Sequence, residues 1–257
     1  MKATALLFLG LLSVAACDQQ STGQAGDTQQ SIYQDAVDSK TRLAADYARD
    51  AGRKPAEVLA FFAIQPGDTV LDMFSGGGYY AELIAHVIGP DGELVAQTNQ
   101  AYIGFVGDEV DERYADGRLA NVELLMAENN ELELPANHFD AITLILAYHD
   151  VYHEDPENGW PKIDVEPFLA ELYQSLKPGG IVGVVDHYAD AGAAVETGDT
   201  LHRIDPARVI EDFTAAGFEL DARSDILRNA DDDHTLVVFD PAIRGKTDRF
   251  VLRFKKP

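Results

Sequence analysis

From Thr69 onward the chain alternates short apolar runs with amphipathic ones, and this alternation constrains its fold more than any other feature. The runs Thr69 to Met73, Glu93 to Gln97, Val122 to Met126, Phe139 to Ala147 and Gly180 to Asp186 predict strands. Tyr79 to Val87, Val110 to Leu119, Val165 to Leu176 and Pro206 to Ala216 predict helices. Strands separated by helices pair in parallel, because each crossover returns the chain to the same end of the sheet, and such a sheet is covered on both faces. Two late apolar runs, Leu236 to Phe239 and Phe250 to Phe254, come without an intervening helix and predict antiparallel strands at one edge. Ahead of the first strand, Ile32, Ala36, Leu43, Ala44, Tyr47 and Ala48 recur at helical spacing, and Pro55-Ala56-Glu57 opens a second helix. The expected architecture is α/β: three layers around a doubly wound, mostly parallel sheet with an antiparallel edge strand and an N-terminal helical extension.

Chemistry enters at Val70-Leu71-Asp72-Met73-Phe74-Ser75-Gly76-Gly77-Gly78-Tyr79-Tyr80. An apolar strand ends in an acid, a glycine-rich turn follows, and a helix begins. The turn's N–H groups and the helix N-terminus therefore face whatever binds at the strand's carboxyl end. Glycine is required where a ligand approaches the backbone too closely for a Cβ.

Charge and cysteine usage bound the partners. Lys and Arg number 20 against 44 Asp and Glu, a formal net charge of −24. No basic stripe exists to neutralise phosphates, which excludes a nucleic-acid substrate. The one cysteine, Cys17, follows Lys2, the apolar run Ala3 to Leu12 and the small residues Ser13-Val14-Ala15-Ala16. That run suits the core of an export signal and is too short to span a bilayer, so residues 1–17 are expected to be a bacterial lipoprotein signal ending at a lipidated Cys17. Residues 18–31 contain almost nothing apolar and are expected to form a flexible polar tether of roughly 20 Å. Residues 32–257 then form the domain, held by its lipid to a membrane on the periplasmic side of the cell envelope.

Four segments together resemble the class I S-adenosylmethionine-dependent methyltransferases: Val70 to Gly78, Gly89 to Ala96, Pro135 to Ile142, and Leu176-Lys177-Pro178-Gly179-Gly180. The set Arg53-Lys54-Pro55, Gly76 to Tyr80, Tyr148-His149-Asp150, Leu201 to Pro206 and Arg244 to Asp248 is similar to a group of exported bacterial methyltransferases. The resemblance implies a Rossmann-like fold and S-adenosylmethionine as cofactor. Carried over residue by residue, it implies that Asp72, Ser75, Gly76, Gly77 and Gly78 hold the methionine end. Gln97 and Thr98, followed by Asn99, stand where the family has an acid for the ribose, and Glu128 and Asn129 stand where the adenine is read. Phe74 replaces the usual first glycine of the loop.

On the acceptor side the resemblance points to the end of the fourth strand, Ala147-Tyr148-His149-Asp150-Val151-Tyr152-His153. Imidazole titrates near neutrality, so His149 is the candidate base, oriented by Asp150 or Tyr148, and His187 at the end of the next strand is a second candidate. Four-residue spacing from His149 to His153, with His187 and His202 able to converge, leaves a metal reading beside the simple base, for which no metal is needed. Arg203 is a candidate anion clamp. Two functions stay open: a methyltransferase for a small-molecule or envelope-linked acceptor, and a non-catalytic ligand-binding lipoprotein that keeps the fold. Neither the acceptor nor the oligomeric state is encoded in any motif.

Overall fold

The computed structural model describes Met1 and residues 32–257, so the signal, Cys17 and the tether lie outside the described residues. Among the described residues seven strands form one sheet: β1 Thr69–Met73, β2 Glu93–Thr98, β3 Val122–Met126, β4 Phe139–Ile145, β5 Leu176–His187, β6 Glu219–Ser224 and β7 Arg249–Lys255. Their order is β3-β2-β1-β4-β5-β7-β6. β1 to β5 are parallel, and β7 runs antiparallel between β5 and β6. Strand order reverses between β1 and β4, so the loops leaving their carboxyl ends diverge and open a crevice there.

Helices cover both faces: α1 spans 32–38, followed by α2 Tyr47–Arg53, α3 Pro55–Phe62, α4 Tyr79–Ile88, α5 Gln100–Val106, α6 Glu109–Tyr114, α7 Val165–Ser175, α8 Thr197–Leu201 and α9 Pro206–Ala215. Successive strand residues point to opposite faces. Val70 accordingly joins Leu59, Phe62, Leu83 and Ile84 in one core, while Leu71 joins Phe168, Leu172, Phe213 and Phe254 in the other. Each such side chain contributes about 1.5–3 kcal/mol when removed from water.

Two expectations need correction. Leu236 to Phe239 is not a strand: the segment is a bend followed by a turn, in which Leu236 is 39% and Phe239 42% exposed. The edge strand is Glu219–Ser224, whose residues alternate between exposed and half-buried, the pattern of a strand with one face in water. The single helix expected over Val110 to Leu119 is instead α6 followed by a 3-10 turn at Ala115–Gly117, broken where Asp116 takes φ 52. α5 precedes it and was not expected from the pattern.

Candidate active site

The turn between β1 and α4 lies at the mouth of the crevice. Phe74, Gly76 and Gly78 all have left-handed backbones, φ 51, 57 and 76. Such a backbone costs a phenylalanine what it does not cost a glycine. Phe74 is held there because its N–H donates to Gln97 Oε1 (3.0 Å), the next N–H donates to the Gln97 carbonyl (2.8 Å), and its ring is buried against Tyr102 and Phe168. Gln97 Nε2 donates to the Ala127 carbonyl (2.8 Å), so this side chain ties β1 to β3 with both ends engaged. Asp72 is buried and accepts from Thr143 Oγ1 at 2.6 Å. Burial pushes its carboxyl up to about 6, against the hydroxyls of Thr143 and Ser75.

Polar atoms without partners collect along the same edge. Thr98 Oγ1 at the end of β2, and Glu128 Oε2 and Asn129 Nδ2 just past β3, are buried with no hydrogen-bond partner among the described residues. The N–H groups of Gly76 and of half-buried Gly77 also have no hydrogen-bond partner among the described residues. Since buried polar groups are nearly always paired, these atoms mark a place for a ligand with its own donors and acceptors. Arg53 adds a cation: its guanidinium lies 4.4 Å from the Tyr79 ring centre, at the start of α4, and no carboxylate pairs with it among the described residues. Burial pulls it below its ordinary value, with Arg49 adding to the effect and Tyr80 opposing it. Arg53 was not read from the sequence as a site residue, although the Arg53-Lys54-Pro55 motif pointed to it. The neighbour of Gly77 is protein: a β-carbon there would collide with a Glu109 carboxylate oxygen and sit 3.0 Å from Glu109 Cβ. α5 and α6 thus cover the loop, with the Tyr102 ring 3.7 Å from where a Gly76 β-carbon would lie.

Past β4, Leu146 takes φ 61 and the chain enters a 3-10 turn, Tyr148–Tyr152. His149 is buried there. Its Nδ1 lies 2.8 Å from Asp186 Oδ1, and its backbone N–H donates to Asp186 Oδ2 at 2.9 Å. Asp186 at the end of β5 therefore orients the ring, a role the sequence had suggested for Asp150 or Tyr148. His149 Nε2 faces Asp150 Oδ1 (3.3 Å) and His202 Nδ1 (3.3 Å). Burial pulls the imidazole down, but Asp150 and Asp186 more than offset it and raise it to about 9. Burial also pushes Asp150 up, yet His149, His202 and Tyr102 hold it below the usual carboxylate range. Tyr102 O–H donates to Asp150 Oδ2 at 2.5 Å, joining this group to the glycine turn.

The other candidates point elsewhere. Tyr148 donates its hydroxyl to Asp212 (2.9 Å) and packs on Phe213, on the α9 side of the sheet. His187 Nδ1 meets Thr247 Oγ1 at 2.7 Å, and burial followed by Arg249 holds its imidazole well below its ordinary value. His153 pairs with Asp199 and meets the Trp160 ring edge-on. Arg203 is fully buried and binds Asp232 and the Tyr188 and Leu236 carbonyls, so it clips a loop and has no hand free for an anion. His202 is the residue brought in from a distance.

Residues 71–184 match the methyltransferase domain family. A ubiquinone/menaquinone biosynthesis C-methyltransferase, UbiE, of Ectopseudomonas mendocina is 30% identical over 124 residues, 48% of this chain and 43% of that protein, so the similarity spans less than half of the relative. A SAM-dependent methyltransferase from Aquifex aeolicus has the same fold, with TM-score 0.55 at 23% identity over 78% of this chain and 88% of the other. The [4+2]-cyclase SpnF shares it too, with TM-score 0.53 at 21% identity over 91% and 96%. Fold alone does not set the reaction. The central segment of this chain is thus similar to the methyltransferase domain family, and the chain has the fold of a SAM-dependent methyltransferase of known structure.

Proposed function

We propose that the protein is an S-adenosylmethionine-dependent methyltransferase for a small-molecule or envelope-linked acceptor, anchored by a lipid on Cys17 at the periplasmic side of a bacterial envelope. The observation that carries the catalytic part is the row of unpartnered buried polar atoms, Thr98 Oγ1, Glu128 Oε2 and Asn129 Nδ2, along the carboxyl edge of β2 and β3 beside the glycine turn. When bound, S-adenosylmethionine supplies an electrophilic methyl group on a sulfonium whose departure needs no acid. Asp72 and Ser75 would hold its ammonium group, and the free N–H groups of Gly76 and Gly77 with Arg53 its carboxylate. Thr98, Glu128 and Asn129 would take the nucleoside. On the acceptor side, the proton of an O–H or N–H nucleophile would be managed at His149 Nε2 and Asp150, with His149 fixed through Nδ1 by Asp186. The exposed rings of Phe105 and Phe239, 6.0 Å apart with Phe239 against His202, give the approach an apolar rim.

Titration calorimetry of the full chain with S-adenosylhomocysteine tests this. Binding is expected, weakened about tenfold or more in Asn129→Leu, the cost of a lost buried hydrogen bond. No heat at millimolar ligand from a folded protein overturns the reading. One observation favours the second reading, a binding protein without transfer chemistry: Gln97, standing where the family keeps its ribose acid, is spent on Phe74 and Ala127. Under that reading, ligands other than S-adenosylhomocysteine give the heat.

A further inference from the structure

His149, Asp150 and His202 bring three ligand-type atoms together in a geometry that hydrogen bonding alone does not require. His149 Nε2 is 3.3 Å from both Asp150 Oδ1 and His202 Nδ1, and the third side of the triangle, His202 Nδ1 to Asp150 Oδ1, is 3.8 Å. A tetrahedral ion with bonds of about 2.0–2.1 Å holds its ligands about 3.3 Å apart. Each partner is also turned the right way. Asp186 accepts at His149 Nδ1, so Nε2 is the ring atom left to bind an ion, which would displace the proton there. Tyr102 takes Asp150 Oδ2, which leaves Oδ1 facing the histidines. His149 and Asp150 thus each carry a supporting hydrogen bond of the kind that orients metal ligands.

The chain goes to some length to deliver His202. It caps α8 with a left-handed backbone, φ 53, its N–H bonded to the Gly198 carbonyl. α8 reaches the Tyr148–Tyr152 turn because position 198 is glycine, where a β-carbon would sit 2.9 Å from the His149 carbonyl oxygen. A bulky, non-glycine residue in that conformation persists only where the surroundings impose it, and such positions gather at functional sites.

We propose that His149 Nε2, Asp150 Oδ1 and His202 Nδ1 bind one divalent first-row transition-metal ion, leaving its remaining positions to water or to an acceptor oxygen. Two imidazoles and a carboxylate, with no thiolate, suit zinc, iron(II) or manganese and suit magnesium or calcium poorly. Metal binding stands apart from the methyltransferase reading. Its use rests on that reading: with His149 Nε2 and Asp150 on the ion they would no longer take the proton, and the ion would instead lower the pKa of a bound hydroxyl and present the alkoxide or phenolate as nucleophile, with the released proton passing to solvent.

The test is metal uptake by the full chain, stripped with chelator, reloaded with zinc, iron(II) or manganese in parallel, desalted and analysed for metal content. One zinc per chain is expected, magnesium being lost on desalting, and cobalt(II) in the same site should give visible d–d absorption. His202→Asn, which tolerates the left-handed backbone, and Asp150→Asn should each weaken zinc binding by about a hundredfold or more, the scale of losing a ligand rather than its support. His153→Ala should leave it unchanged. Circular dichroism confirms that each variant is folded. A folded wild-type chain that retains no transition metal, or uptake unaffected by His202→Asn, overturns the proposal. S-adenosylhomocysteine calorimetry on the same samples separates the two ideas. Cofactor binding without metal sinks only the metal site, and metal uptake without cofactor binding supports it while sinking the transferase reading.

Discussion

Asp72 sits where stability and binding pull in opposite directions. The residue is 3% exposed, and burial raises its carboxyl to about 6, above the value near 3.9 expected in the unfolded chain. The sign follows from linkage: below about pH 4 the group is protonated in both states and folding bears no penalty, and as pH rises through 6 that advantage is lost because the folded state must ionise a buried carboxyl. Asp72→Asn should therefore stabilise the ligand-free protein by about 1–3 kcal/mol at pH 7.5 and by almost nothing at pH 4, read from urea melts at both pH values. The same variant should bind S-adenosylhomocysteine at least tenfold more weakly, since an amide replaces a carboxylate facing an ammonium. Equal stability at both pH values would show that Asp72 is not held ionised against its burial. Phe74 makes a related point about the turn. Its φ of 51 is the conformation for which glycine is commonly used, and the bond from its N–H to Gln97 holds it there.

At the scale of elements, the N-terminal extension is locked to the site by one arginine. Arg113 of α6 is 1% exposed and binds Asp46, Glu82 of α4 and the Gly77 carbonyl, so it joins the extension, the first site helix and the glycine turn. Removing Arg113 leaves Asp46 with Arg49 alone and Glu82 with Arg118 alone, and empties a buried site between them. Arg113→Ala should cost about 3–5 kcal/mol in urea denaturation, and a loss below 1 kcal/mol would show that Asp46 and Glu82 find water instead. How far these elements were legible depended on burial. β1, β4 and β5, buried on both faces, read as continuous apolar runs, and α4, α7 and α9 showed helical spacing. β6 escaped because Glu219-Leu220-Asp221-Ala222-Arg223-Ser224 is a charged edge strand, and Leu236 to Phe239 misled because its apolar residues, Val238 excepted, remain partly exposed. α5 was obscured by Gly104 and by its aromatic residues, poor helix formers that packing holds in place. Within the site, the glycine turn and His149 could be placed from local pattern. Asp186 as the residue orienting His149, and His202 as its neighbour, could not, because their positions depend on strand register and on a left-handed turn with no periodic signature.

For the whole molecule, the question is where a chain with a net charge of −24 resides. An anionic membrane surface repels such a body, so any attachment to one would be hydrophobic rather than electrostatic. Among the described residues no helix is long and apolar enough to cross a membrane. The proposed attachment is at Cys17, after Ser13-Val14-Ala15-Ala16, where more than one acyl chain would be needed because a single chain holds a protein only marginally. Cys17→Ser should then abolish incorporation of labelled palmitate and move the protein from the membrane pellet to the soluble fraction, with the domain still folded and its affinity for S-adenosylhomocysteine within a few fold. In sequence, residues 18–31 separate Cys17 from the first described helix. If wild type and variant both stay in the pellet after carbonate washing, an uncleaved N-terminal anchor is the better account. Release of both would remove the membrane from the description of this protein and leave its acceptor to be sought among freely diffusing molecules.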